Sequence, residues 1–353
     1  MNAMSRLLPA LAACALAAAA GAQPAKPAAK GAAATARATI EKTYTGDLDG
    51  MIERRLIRIL VPYSKTYDFV DRANQRGMAY DVARMMEDDL NKKLAAEKKT
   101  KAKHVRVHVV LVPVKREEFI PALKEGRGDI ALANITITPA RAAQVDFTAP
   151  ARKGVAEVVV TAPGAAPVAT PEELSGREVY VTKSSIFYDS LETLNAELKK
   201  KGKPPVKIRL APENLEVEDL LEMVNAGLAE ATVADDFVAA LWKYAFPKLQ
   251  INAGAAVRSG AETGWMLRKN SPQLKAALER FLARYPEGSA TRSTLVKRYF
   301  GGPKAVKAAT SAEEMKKFEA TVELFRKYGG KYELDHPLAM AQGYQESRLN
   351  QGA

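Results

Sequence analysis

The 353-residue sequence contains one cysteine, Cys14, and three histidines, at positions 104, 108 and 336. A lone cysteine excludes an intramolecular disulfide framework and any cysteine-based zinc cluster. Three scattered histidines leave little for a histidine-rich metal site, so neither a metal nor a cofactor is expected. Beyond residue 22 no stretch approaches the roughly 20 consecutive apolar residues that a membrane-crossing helix needs. What is in excess is positive charge: 53 basic residues against 41 acidic ones give +12, which suits nucleic acid, an anionic surface or a soluble basic shell. At 47% hydrophobic and 27% charged the chain otherwise has an ordinary globular composition. Its length, at roughly 100–200 residues per domain, implies two domains or one large two-lobed one.

The N-terminus narrows the meaning of the charge. Residues 1–6 carry one positive charge, residues 7–20 form an alanine-rich apolar run, and Ala20-Gly21-Ala22 supplies small residues ahead of Gln23. This predicts a secretory signal peptide over residues 1–22, and export sets nucleic acid aside as a partner. Leu11-Ala12-Ala13-Cys14 also has the form of a lipobox, in which a lipidated Cys14 would attach the protein to the outer membrane. Both readings remain open. Residues 23–50 begin as an Ala/Pro/Lys-rich stretch without apolar periodicity and read as a tether, with folding expected to start near residues 44–54.

From there apolar strands alternate with amphipathic helices. Residues 56–61 form a β-rich run stopped by Pro62, and residues 77–94 place Met78, Val82, Met85, Met86, Leu90 and Leu94 on one side of a helix. A strand at 105–112, a helix at 119–124 ending at Gly126 and a strand at 129–133 follow. Strand, helix, strand, helix, strand indicates a parallel sheet with crossover helices. The pattern restarts with strands at 157–161, 178–182, 206–210 and 231–234 and helices at 185–199 and 217–225. A strand at 263–268 and a helix at 273–285, opened by Ser271-Pro272, close it.

Gly128-Asp129-Ile130-Ala131, Asn134-Ile135-Thr136-Ile137-Thr138-Pro139-Ala140-Arg141 and Val145-Asp146-Phe147-Thr148-Ala149-Pro150 resemble the signature of the family 3 periplasmic solute-binding proteins. Gly77-Met78-Ala79-Tyr80-Asp81 and the segment 265–282 add to the likeness. The resemblance implies a two-lobed α/β fold of the periplasmic-binding-protein type (type II) over residues 51–300. Lobe 1 would be 54–160 with 258–300, and lobe 2 would be 161–257, with a small ligand held in the cleft between them. An amino-acid or peptide terminus presents a planar carboxylate, which Arg141 can engage with two parallel charge-assisted hydrogen bonds. Thr136 and Asn134 sit in the turn before it, Asn134 where related binders often carry glycine.

On lobe 2 the resemblance makes Asp235 the acceptor of an α-ammonium, and Ser184 and Ser185 at a helix N-terminus would close over the carboxylate. Each has a plainer reading: Arg141 as a surface ion pair, Asp235 as a helix cap, the serines as an N-cap. Tyr63 and Tyr67 are either walls of the ligand site or core residues.

The C-terminal part resembles another family. Residues 318–328 read as an amphipathic helix stopped by Gly329-Gly330, and a second begins at Pro337 with Ala341-Gln342-Gly343-Tyr344-Gln345-Glu346-Ser347-Arg348-Leu349. This resembles the catalytic helix of the lysozyme-like lytic transglycosylases, and the whole chain resembles F-type murein transglycosylases that carry a binding domain ahead of the catalytic one. In them the position of Glu346 is the single acid/base that cleaves peptidoglycan to 1,6-anhydro sugars without water. Residues 301–353 would then be a linker and the truncated, helical start of the lysozyme-like domain, and cleavage by the chain as written is not expected. The favoured function is a periplasmic binding or regulatory module for an amino acid or peptidoglycan stem peptide, with peptidoglycan or the outer membrane nearby. The alternatives are a stand-alone receptor delivering amino acids to an importer permease, and a fragment of an active transglycosylase.

Overall fold

The structure is a computed structural model that describes residues 40, 42–71, 74–97 and 106–300. The expected signal peptide, Cys14, the C-terminal helices and Glu346 lie outside these residues.

In lobe 1, helix α1 (Leu48–Glu53) leads into β1 (Leu56–Val61), and all six β1 residues are buried. A continuous Leu/Ile/Val-rich run suits a strand covered on both faces, and β1 lies between two parallel partners, β4 (His108–Pro113) and β5 (Ile130–Thr136). A small hairpin of β2 (Phe69–Asp71) and β3 (Asn74–Arg76) precedes helix α2 (Met78–Ala96). Gly77 allows that entry: its φ is +131°, and a Cβ there would lie 2.1 Å from the carbonyl oxygen of Tyr67. After a 3-10 turn at Arg116–Glu118 come α3 (Phe119–Lys124), then β5, α4 (Pro139–Ala142) and β6 (Asp146–Phe147).

Strand β7 (Arg152–Thr161) crosses into lobe 2, where β8 (Glu178–Thr182), α5 (Ile186–Lys200), β9 (Lys207–Ala211), α6 (Val217–Asn225), β10 (Ala231–Asp235) and α7 (Asp236–Trp242) follow. The 18-residue β11 (Gln250–Leu267) returns, and α8 (Pro272–Arg284) and α9 (Ala290–Phe300) complete the described chain. Apart from the β2–β3 hairpin, the described strands form one sheet in the order β4-β1-β5-β11-β7-β10-β8-β9, with β6 on β11. β7 and β11 pair antiparallel and run through both lobes; their register shifts four times between Asn252 and Thr263. Irregular pairing at that crossing is where two strands that join two lobes can bend.

Each lobe has apolar cover on both faces of its part of the sheet. In lobe 1, Ile57, Ile59 and Val109 pack with Ala79, Ala83 and Met86 of α2 and with Leu278 and Phe281 of α8. Leu60, Ala131 and Met266 face Phe119 and Leu123 on the other side. In lobe 2, Val158 and Val160 meet Leu221 and Trp242, while Val159 between them meets Leu174, Leu191 and Val233. This period-two alternation along β7 is that of a strand with helices on both faces. The expected two-lobed α/β architecture is observed. The structure goes beyond the sequence expectation in several places: β11 starts at Gln250 rather than at 263, and α1, the β2–β3 hairpin, α4, β6 and α9 have no counterpart in it.

Candidate ligand-binding cleft

In both lobes the loops after the strands face a cleft of about 850 Å³. Lobe 1 lines it with Thr66, Tyr67, Arg116, Asn134, Thr136 and Arg141, and lobe 2 with Thr182, Ser184, Ser185, Glu216, Glu218 and Asp235. A crevice beyond the carboxyl ends of strands is where open α/β sheets hold ligands.

Arg141 is positioned by local chain chemistry. Pro139 opens α4 at its first turn, and the Thr138 hydroxyl caps it by accepting from the Arg141 amide at 3.3 Å. The guanidinium donates from Nη1 to the Thr136 carbonyl at 3.0 Å, and among the described residues no carboxylate stands within ion-pair distance of it. Burial, and then the neighbouring Arg116, hold its pKa below the usual guanidinium value. Thr136 is buried and in register with Thr263 of β11. Asn134 has φ +41°, a left-handed conformation that glycine and asparagine adopt most readily, which suits asparagine to this position.

Across the cleft, Asp235 ends β10 opposite Glu157 of β7. It stands at the N-cap position of α7 without making a side-chain cap bond, and its buried Oδ1 has no hydrogen-bond partner among the described residues. Burial, then the charge of Glu157, push it up to about 7. Glu157 is itself raised by burial; its Oε1 lies 3.7 Å from Arg258 Nη1. A second buried polar atom without a partner, Thr66 Oγ1, is on the lobe 1 side.

The serines sit at the start of α5 and are engaged by the protein itself. Ser185 caps the helix, accepting from the Tyr188 amide at 3.3 Å and donating to the Thr182 carbonyl at 2.7 Å. Ser184 donates its amide (3.1 Å) and its hydroxyl (2.5 Å) to the two oxygens of Glu213. Both serines line the cleft, but the Ser184 donors are already in use. Tyr67 is at once a cleft wall and part of the lobe 1 core, and burial raises its phenol pKa well above the ordinary value. Tyr63, by contrast, is 56% exposed and is not among the lining side chains.

Sequence reasoning missed the residues that tie the lobes together. Arg116 reaches Glu216 with Nε at 2.8 and 2.9 Å and Nη2 at 2.7 Å, while its Nη1 donates to the Ala133 carbonyl at 2.8 Å. Burial opposes the charge on Arg116, yet Glu216 outweighs it and the pKa rises above the usual value. The Ser64 hydroxyl donates to Glu218, and Lys65 Nζ lies 2.9 Å from Asp219 and 2.6 Å from Glu222. Burial, then the charges of Glu216 and Asp219, push Glu218 up to about 7. In sequence, Lys115-Arg116-Glu117-Glu118 looks like a solvated run; only the reciprocal cap of Glu216 and Asp219 at the start of α6 left a local signal. Among the described residues no group of three His, Cys, Asp or Glu side chains is placed to hold a metal ion.

Fold and cleft together define a two-lobed α/β binding protein with opposed charged groups on the two walls. The chain belongs to the bacterial extracellular solute-binding proteins, family 3, whose model matches residues 57–302. Among solved structures it is similar in fold to an ancestral arginine-binding protein bound to glutamine. The TM-score is 0.54 at 22% identity, covering 70% of this chain and 98% of that one. A substrate-binding protein of an amino acid ABC transporter from Streptococcus pneumoniae, bound to L-arginine, gives a TM-score of 0.54 at 16% identity, covering 74% and 98%. Curated relatives are named membrane-bound lytic murein transglycosylase F. That of Ectopseudomonas mendocina is 25% identical over 304 residues (82% of this chain), and that of Pseudomonas fluorescens 27% over 323 residues (88% of this chain). The chain spans 56% and 60% of the length of these two relatives.

Proposed function

We propose that residues 51–300 form the ligand-binding or regulatory module of a lytic transglycosylase F-like protein of the bacterial envelope, taking an amino acid or a peptidoglycan stem peptide between its lobes. One observation carries this reading: Arg141, with no carboxylate partner among the described residues, lines the same cleft as Asp235, whose buried Oδ1 has no donor among them. A dipolar ligand satisfies both. Its carboxylate takes the parallel donors of the Arg141 guanidinium, and its ammonium donates to Asp235, which the incoming positive charge keeps ionised. Because the two anchors belong to different lobes, each bound molecule favours the closed arrangement over the open one.

Cys14 is the candidate lipid attachment, placing the protein in the periplasm at the outer membrane. By its resemblance to the lytic transglycosylases, Glu346 is the candidate acid/base; release of 1,6-anhydromuramoyl products from peptidoglycan sacculi, lost in Glu346→Gln, is the measurement that would make the chain an enzyme. A stand-alone importer receptor is the second reading, favoured by structural neighbours that are covered over 98% of their length. Calorimetric titration with free amino acids and with purified stem peptides separates the two. Tight binding of a free amino acid and none of stem peptides overturns the transglycosylase-linked reading.

A further inference from the structure

Helix α2 presents apolar side chains to the cleft as well as to the lobe 1 core. Ala79, Ala83 and Met86 form the buried stripe against the lobe 1 sheet. Met78, Val82 and Met85, spaced i, i+4 and i+7, form a second stripe; Val82 and Met85 rest on the edge of the lobe 1 core and Met78 on that of lobe 2, and the half-buried remainder of each lines the cleft. An ordinary surface helix has a single apolar stripe, with polar residues elsewhere. Three more half-buried apolar side chains line the same cavity: Leu282 from α8, Val296 from α9 and, from lobe 2, Leu241 of α7. The charges near this arm are mostly engaged. Arg152 pairs with Glu287 at 2.6 Å, and Arg292 donates to the Ala151 carbonyl at 3.2 Å. The cavity is continuous with the Arg141 and Asp235 walls, and its volume of about 850 Å³ is toward the upper end of the roughly 300–1,000 Å³ of sites that enclose drug-sized ligands.

We infer that this apolar arm receives a large apolar side chain of the ligand, so that the cleft selects amino acids or short peptides bearing such a side chain over alanine or glycine. The inference rests on the dipolar reading proposed above, with the charged ends at Arg141 and Asp235 and the side chain directed between α2, α7, α8 and α9.

The test is calorimetric titration of the full chain with a homologous series, L-alanine, L-2-aminobutyrate, L-norvaline and L-norleucine, each used free and as the C-terminal residue of an alanyl dipeptide. Affinity is expected to rise about fourfold per added methylene, the equivalent of about 0.8 kcal/mol, or about 60-fold from alanine to norleucine. Val82→Asn and Met85→Gln should each flatten that rise, with thermal melts confirming that the variants fold. Binding with no rise along the series, or a rise unchanged in both variants, overturns the apolar arm and leaves the dipolar reading standing. Failure of every member of both series to bind overturns the dipolar reading and the inference with it.

Discussion

Two aspartates show opposite uses of burial. Asp129, in the Gly128-Asp129 motif, is fully buried and accepts from the Arg58 amide (2.8 Å), from Arg58 Nη2 (3.1 Å) and from Arg54 Nη2 (2.5 Å). It is a structural residue, and Asp129→Ala, which strands Arg58 in the core, is expected to destabilise the fold by about 3–5 kcal/mol in chemical denaturation. Asp235 lacks such partners, and its raised pKa works the other way. Between its ordinary 3.8 and about 7 the unfolded chain has released a proton that the native state retains, so this group's contribution to stability falls as pH rises through that window and is flat above it. Asp235→Asn should therefore match the parent only below about pH 3.8, gain on it progressively as pH rises toward 7, and exceed it in stability by a constant amount at pH 8; a variant no more stable than the parent at pH 8 contradicts the shift. Glu218, also near 7, adds a slope of the same sign that the variant retains. Arg141 and Asp235 were legible because their motifs resemble a family. Arg116 was not, because a half-buried, bidentate arginine and a solvated one look alike within a charged tetrapeptide.

At the scale of elements, strands with dense β-branched content and helices with clear periodicity were readable to within a few residues. Residues 250–262 were not, since that half of β11 holds Asn, Ser, Arg, two glycines and several alanines. Pairing with β7 makes it a strand, an instance of tertiary context overriding propensity. Helix α5 shows how a residue's local role can be separated from its place in a site. Ser185 bonds both the Tyr188 amide and the Thr182 carbonyl, so Ser185→Ala should cost about 1 kcal/mol in unfolding free energy even without ligand. An unchanged midpoint and slope in urea would contradict the capping role.

Across the whole molecule, a group of polar contacts between the lobes gathers at the start of α6 against the loop after β1 and Arg116, while Met78, Val296 and Tyr299 pack on the lobe 2 core. Lys65 is the cleanest handle, because its partners Asp219 and Glu222 remain partly solvated when it is removed. Lys65→Ala combined with Ser64→Ala is expected to shift the population toward an open arrangement, seen as a larger radius of gyration in small-angle X-ray scattering without loss of melting cooperativity; identical scattering curves would contradict this. Two lobes followed mainly from the resemblance to a family, whereas this tie depends on side chains more than 150 positions apart in the case of Ser64, Lys65 and α6, which no local pattern reports. The central claim, a dipolar ligand with its carboxylate on Arg141, is tested most directly by titrating parent and Arg141→Ala with L-norleucine and L-norleucinamide, which lacks the carboxylate. The amide should bind the parent at least about 30-fold more weakly than the acid, corresponding to about 2 kcal/mol, and this difference should vanish in Arg141→Ala. An equal difference in both proteins would place the carboxylate elsewhere and contradict the claim.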